Sequence, residues 1–264
     1  MRVARDKRSI LRDRRRARRA LLTVTTLDRV SQDPLAPLLD LPGVRDASDR
    51  ARDAVSAAHR HPINLRQWDK TSREASWRAG RSSAAIDGAT TDISRDDLGD
   101  PIAAGAIRVA QSLDSDAIDQ AVAVFRRAPA QALARLHTLA ASDLVDDAAL
   151  LGRPRSEPHI AQRLDFLGQL ITGGTAVPAP VLAAVVHGDL LVLAPFAEAN
   201  GVVARAASRL VSATTGLDPH LLCVPEVTWL KRLGEYRELS AQFATGDPEA
   251  LAASSSEGGE VEAD

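Results

Sequence analysis

The spacing of apolar residues limits the fold more than any other feature of this chain. Alanine, leucine and arginine recur at intervals of three and four residues, whereas β-branched residues rarely alternate with polar ones. The first pattern is typical of amphipathic helices, and the second, which half-buried strands require, is almost absent. The sequence therefore predicts an all-α fold. It also excludes the nucleotide-binding folds that are built on a parallel β-sheet.

Capping residues predict where several helices begin. An aspartate side chain accepts hydrogen bonds from the free amides of a helix start, and a proline in the first position has no N–H to leave unpaired. Asp100-Pro101 and Asp218-Pro219 both fit this pattern, and Pro225-Glu226 places an acid near the positive end of a helix dipole. The predicted helices are 47–59, 65–87, 101–113, 116–127, 130–142, 158–171, 178–193, 200–215 and 225–244.

The connections between these helices predict a single domain. Segments such as Gly173-Gly174 are too short to be interdomain linkers, and no repeat of fixed period is visible. A chain of 264 residues buries roughly 70 to 75% of its surface without needing a disulfide or a metal. We therefore expect one compact helical domain over residues 27–251, between a basic arm at 1–26 and an acidic tail at 252–264.

The two ends of the chain carry opposite charges. Residues 1–19 hold ten basic residues against Asp6 and Asp13, a net charge of +8 in a chain whose total is −2. Both ends lack the apolar residues that offset ordering entropy, so we expect them to be disordered. Residues 1–19 could bind a nucleic acid or another acidic partner, and the alternative is a solvated extension with no partner.

Nothing in the sequence predicts export or membrane insertion. Cys223 is the only cysteine, so no intramolecular disulfide can form and no oxidising compartment is needed. No secretory signal is convincing, and the most apolar window, 179–197, contains His187 and Asp189. That window is predicted to be a buried core helix, and not a membrane span. We expect a cytoplasmic protein with an unidentified protein partner, and the excess of arginine over lysine suggests a bacterial coding bias.

One segment, residues 193–205, has the form of an anion-binding site. A loop containing Glu198, Asn200 and Gly201 opens directly into an amphipathic helix. Free amides at a helix start point outward, the helix dipole favours negative charge, and a glycine lets a phosphate approach the backbone. Arg205, one turn into the helix, could reach a second phosphate, and Glu198 could hold a Mg²⁺ ion. An ordinary helix start has the same local pattern, so this evidence leaves both interpretations open.

The same segment, APFAEANGVVAR at residues 194–205, resembles the HPFx(D/E)GNGRxxR motif of the Fic (Fido) family. The resemblance extends over roughly residues 33–251 and implies the helical Fic fold. It also implies adenylyl transfer from ATP, or from another nucleotide with Mg²⁺, to a protein hydroxyl group. Carried onto this chain, the nucleotide-binding residues are Glu198, Asn200, Gly201 and Arg205, and Glu198 is also the possible magnesium ligand.

A second element, Ser83-Ala-Ala-Ile-Asp87-Gly88, resembles the (S/T)xxxE(G/N) inhibitory helix of the same family. In autoinhibited members the glutamate pairs with the second motif arginine and keeps it from seating the γ-phosphate. The corresponding residues here are Asp87 and Arg205, with Ser83 as the first residue of the element. By its local pattern alone, this segment is also the end of a helix capped by Gly88.

The motif departs from the family in ways that affect chemistry. Ala194 stands where the family has its catalytic histidine, and Val202 stands where it has the first arginine. No catalytic residue is therefore assigned, and we predict a pseudoenzyme with a residual nucleotide-phosphate site. Ala199, in place of a glycine, is a mild change unless its φ is positive. Residues 151–155 suggest only a reduced target-docking flap or a short surface loop.

His187 could in principle replace the missing base, because it lies seven residues before Ala194 on the same predicted helix. Two helical turns separate the two positions, so a buried structural role is the stronger prediction. Two alternatives to the pseudoenzyme remain at this stage. One is an active nucleotidyl- or phosphotransferase that uses a different base, and the other is a helical interaction scaffold with a basic arm.

Overall fold

The computed structural model describes residues 33–90, Ser94 and residues 98–245. These residues form ten α-helices and no strand, so the all-α prediction is confirmed for the described part of the chain. The helices are α1 (Val44–Arg60), α2 (Pro62–Ile86), α3 (Pro101–Gln111), α4 (Ile118–Arg127), α5 (Pro129–Ala141), α6 (Pro158–Gln169), α7 (Ala179–Leu193), α8 (Asn200–Thr214), α9 (Pro225–Lys231) and α10 (Leu233–Thr245). The predicted arm at 1–26, including its charged stretch 1–19, and the tail at 252–264 lie outside the described residues.

The predicted helices correspond to observed helices, with ends that differ by no more than three residues, except at the carboxyl end. There, the single helix predicted over 225–244 is two helices, α9 and α10, which meet at Arg232 (φ −111°, ψ 39°). Gly234 follows closely, and glycine weakens a helix because it loses the most backbone entropy on ordering. The break separates Trp229 in α9 from Tyr236 in α10.

Aspartate capping explains one correct prediction and one wrong one. The Asp100 carboxylate accepts hydrogen bonds from the amides of Ile102 (2.8 Å) and Ala103 (3.4 Å) at the start of α3. Asp218-Pro219 begins no helix, because the Asp218 carboxylate instead closes a turn by accepting from the amides of Leu222 (3.0 Å) and Cys223 (2.9 Å). The same side-chain chemistry satisfies free amides in both settings, so the local pattern cannot distinguish them.

Helix α7 lies at the centre of the fold. Its residues are buried continuously from Pro180 to Leu190, so no face of this stretch meets solvent. A helix that is apolar all round is typical of a core surrounded by other elements. Its largest contact is with α8, and the loop between these two helices is the predicted anion-binding segment. No helix in the described part of the chain is both long enough and apolar enough to cross a membrane.

The close contact between α3 and α5 depends on a glycine, Gly105 in α3. An added Cβ at this position would lie 2.0 Å from the backbone oxygen of Ala140 in α5. The backbone of α5 cannot yield as a flexible side chain can, so only glycine permits this approach. Gly168 in α6 is the opposite case, because an added Cβ there would meet no atom within 4 Å.

We expect Gly105→Ala to lower the free energy of unfolding by about 2 kcal/mol or more, because overpacking forces the two helices apart. The matched control, Gly168→Ala, should raise it by roughly 0.5–1 kcal/mol, since alanine is the better helix former. Urea unfolding followed by circular dichroism measures both changes. Equal effects of the two substitutions would contradict the close approach of α3 and α5.

Candidate functional site

The loop between α7 and α8, residues 194–199, holds a backbone conformation that favours glycine at two positions. Ala194 has φ 41° and Ala199 has φ 55°, and both lie in the left-handed region. For a residue with a Cβ atom, this conformation costs roughly 1–2 kcal/mol. Position 199 is therefore one where glycine is preferred. Alanine in place of the motif glycine is not the mild change that was expected for a residue with negative φ. The loop keeps this shape because other groups hold it.

Asn200, the first residue of α8, holds the loop from within. Its Oδ1 accepts a hydrogen bond from the Phe196 amide at 2.9 Å, and its Nδ2 donates to the Phe196 carbonyl at 2.9 Å. The Phe196 ring is buried and stacks on His137, with ring centroids 4.3 Å apart. Asn200 was predicted to contact a nucleotide, and the structure shows that both ends of its amide already bind the loop.

Arg155 holds the same loop from outside. Its amide donates to the Pro195 carbonyl at 2.8 Å, and its guanidinium donates to the carbonyls of Ala194 (3.0 Å) and Leu193 (3.1 Å). The segment 151–155, predicted to be a reduced flap or a surface loop, thus lies against the end of α7. The sequence carried no signal for this contact, because it joins residues about 40 positions apart.

The structure brings Ser83, Asp87 and Arg205 together. Arg205 is 1% exposed, and its Nη2 lies 2.8 Å from Oδ2 of Asp87. Its Nε donates to the Ser83 hydroxyl at 2.8 Å, and Nη2 also donates to the Ser83 carbonyl at 3.1 Å. Although burial alone lowers the pKa of Arg205, the Asp87 carboxylate and Tyr236 raise it above its ordinary value. A buried charge needs such partners, because removing it from water costs several kcal/mol.

The Asp87 carboxylate also lies directly against the start of α8. A Cβ added to Gly201 would be 2.6 Å from Oδ1 and 2.7 Å from Oδ2 of Asp87, and 3.0 Å from Nη1 of Arg205. A side chain at position 201 would therefore require this carboxylate to shift. An anionic side chain of the chain itself thus lies beside the first turn of α8.

Tyr236 completes the surroundings of Arg205 and was not predicted from the sequence. Its hydroxyl oxygen accepts from Nη1 of Arg205 at 3.3 Å and lies 3.0 Å from Nε2 of His187. The His187 ring also stacks on Trp229, with centroids 4.7 Å apart. Burial, together with the nearby charge of Arg205, lowers the pKa of His187 to about 3. His187 is thus neutral and hydrogen-bonded in the core, in agreement with the structural role expected for it.

The other predicted site residues differ in their exposure. Glu198 is exposed at the tip of the loop, whereas Val202 is buried in the apolar core. Among the described residues, no group of three or more His, Cys, Asp or Glu side chains could hold a metal ion. Glu198 alone therefore makes no closed metal site, and a Mg²⁺ ion there would take most of its ligands from phosphates and water.

A cavity of about 50 Å³ lies elsewhere, between α1, α7, α8 and the turn after α8. Its lining includes His187, Arg209, Asp218 and Trp229, but no residue of the loop 194–199. This cavity is therefore separate from the predicted anion-binding segment.

Comparison with solved structures identifies the fold. The chain is similar to a Fic family protein from Desulfovibrio desulfuricans G20, whose crystal structure was determined at 2.70 Å resolution, with a TM-score of 0.62 and 15% sequence identity. The match covers 82% of this chain and 72% of that one. This chain therefore has the Fic fold, as the motif resemblance implied. No protein-family model and no curated protein matches the sequence.

Replacing Ala199 by glycine should stabilise the fold. We expect Ala199→Gly to raise the free energy of unfolding by up to about 1 kcal/mol, because relief of the left-handed strain exceeds the entropy that glycine loses on folding. Ala197→Gly, in the same loop but at a residue without positive φ, should not stabilise. Thermal unfolding of both variants measures the difference, and a loss of stability in Ala199→Gly would contradict the loop conformation.

Proposed function

From the Fic fold and the contacts around Arg205, we propose that this protein binds the phosphates of a nucleotide at the start of α8 but does not transfer AMP. The observation that carries this proposal is the position of the Asp87 carboxylate, which lies against Gly201 and pairs with Arg205. Asp87 acts as a stand-in for a phosphate oxygen and blocks the site until it is displaced. The protein is then an autoinhibited nucleotide-binding pseudoenzyme.

The residues present fit a nucleotide phosphate. The carboxylate of Asp87 lies beside Gly201 in the first turn of α8, so we expect that a phosphate oxygen of similar size and charge can take its place. Gly201 would allow the close approach, Arg205 would donate to the phosphate, and Glu198 would bind it through Mg²⁺. When bound, ATP would supply a transferable AMP group. Asp87 has a side chain that is 27% exposed, so it can move toward solvent when a ligand enters.

The surroundings of Ala194 argue against transfer. Its side chain offers no proton acceptor, and its carbonyl already accepts from Arg155. His187 is buried and bonded to Tyr236. His137 is also buried, stacks on Phe196, and uses its Nδ1 to accept from the Gly152 amide. We expect neither buried imidazole to replace the base, and a positioned base contributes typically 10² to 10⁴ in rate.

Calorimetric titration with MgATP tests the binding site. We expect Asp87→Ala to bind MgATP at least ten-fold more tightly than the unmodified protein, because the competing carboxylate is gone. Adding Arg205→Gln to that variant should abolish the gain, since the phosphate loses its charged donor. Asp69→Ala is the matched control. It removes a carboxylate from the same helix, but the Asp69 carboxylate pairs with Arg73, at 2.8 Å, and not with Arg205.

The control variant should bind MgATP as the unmodified protein does. If no variant binds MgATP, inorganic phosphate or pyrophosphate at millimolar concentration, the proposed phosphate site is wrong. The Fic fold would then serve a different purpose in this chain.

Labelled ATP tests the absence of transfer. We expect Asp87→Ala to incorporate no labelled AMP into itself, because the base is missing, whereas Asp87→Ala with Ala194→His should incorporate a measurable amount. Adding Val202→Arg should raise that amount further. Because Val202 is buried, thermal unfolding must verify that this variant is folded. The variants with histidine serve as the positive control.

Transfer by a variant that retains Ala194, abolished by Glu198→Ala, would contradict the pseudoenzyme. It would instead favour an active transferase in which the substrate or another group supplies the base.

A further inference from the structure

We infer that Tyr236 and His187 form a positioning pair that holds the Arg205 guanidinium toward the start of α8, independently of Asp87. This inference rests on the proposed phosphate site, and it assigns a role to two residues that the motif resemblance does not include. Neither residue is expected to touch the ligand. Both act through Arg205.

The need for such a pair follows from what a ligand would displace. Asp87 supplies the only carboxylate that contacts Arg205 among the described residues, and it is the group that must leave. The groups that remain are the hydroxyl and carbonyl of Ser83 and the hydroxyl of Tyr236. Ser83 contacts Nε and Nη2, so Tyr236 is the remaining partner of Nη1. Nη1 is also the nitrogen that lies nearest to Gly201.

The direction of the hydrogen bond between Arg205 and Tyr236 is fixed by the chemistry of the two groups. A guanidinium can only donate, so the Tyr236 oxygen accepts from Arg205. In the proposed arrangement, the single proton of that hydroxyl is donated to Nε2 of His187, 3.0 Å away. This arrangement requires a neutral His187 with its proton on Nδ1, and burial lowers the pKa of His187 to about 3, which favours the neutral ring. Protonation of His187 would place a second donor on the Tyr236 oxygen and a second charge beside Arg205.

The pair is held in place by packing. The rings of His187, Trp229 and Tyr236 form one cluster: His187 stacks on both of the others, and the Trp229 and Tyr236 rings are tilted to each other with centroids 5.4 Å apart. Helix α10 approaches α7 closely at Gly188, where an added Cβ would lie 2.6 Å from the Phe243 ring. Because aromatic rings in such a cluster have few alternative rotamers, the Tyr236 hydroxyl is presented to Arg205 at a fixed position.

The test measures MgATP affinity in the Asp87→Ala background, where the competing carboxylate is absent. We expect Tyr236→Phe to weaken binding about ten-fold relative to Asp87→Ala alone, because the ring stays and only the hydroxyl is removed. His187→Leu should weaken it similarly. His187→Gln should retain most of the affinity, since the amide oxygen can accept from Tyr236 as Nε2 does. Thermal unfolding of each variant verifies that it is folded.

A spectroscopic measurement distinguishes positioning from simple packing. The ¹⁵N chemical shifts of the His187 ring can be assigned by their loss in His187→Gln. They should show that Nε2 is unprotonated, and the Nε2 shift should change in Tyr236→Phe. Tyr236 is the only tyrosine in the chain, so the change in absorbance on ionisation of its phenol can be followed without a contribution from other tyrosines. Burial raises the pKa of that phenol, and the titration should show it.

The outcomes separate this inference from the proposed function. Equal MgATP affinity with and without Tyr236→Phe, or a protonated Nε2 on His187, would overturn the positioning pair and leave the phosphate site intact. Absence of MgATP binding in the Asp87→Ala background would overturn the phosphate site, and the positioning role would fail with it.

Discussion

The buried positive charge of Arg205 is the constraint on which the rest of the site depends. A guanidinium removed from water must be paired and hydrogen-bonded, because an uncompensated buried charge destabilises a fold by several kcal/mol. Its partners come from two other helices, Ser83 and Asp87 at the end of α2 and Tyr236 in α10. The positions of three helices are thereby linked to one side chain. The start of α8, from which Arg205 extends, is fixed by the same contacts.

The loop before α8 shows how binding and chemistry can separate. Its backbone shape is maintained by Asn200 from within and by Arg155 from outside, while Ala194 offers no group for proton transfer. Anion binding at a helix start uses backbone amides, so it does not depend on which side chain occupies the base position. Under the proposed function, alanine at the base position would therefore leave the features needed for phosphate binding in place. Asp87 would then decide whether they are accessible.

The helices were predictable because their formation depends on neighbours within about four residues. Periodicity and capping located their ends to within three residues in most cases. The two errors have local causes as well: Asp218 caps a turn with the chemistry of a helix start, and the chain breaks at Arg232 within one continuous pattern. At the site, the pairing of Asp87 with Arg205 came from a family resemblance. The spacing of residues gave no basis for it, and the contacts of Arg155 and Tyr236 were not predicted at all.

The sequence by itself determined the all-α class, the buried helix α7 and a loop that opens into a helix start with Gly201 and Arg205. Only the tertiary structure decided which acidic side chain lies beside Gly201 and which groups compensate the buried charge. The physical reason is distance along the chain. Helical hydrogen bonds join residues four apart, whereas the partners of Arg205 lie 31 positions away at Tyr236 and 122 positions away at Ser83. Such contacts exist only after the helices have packed.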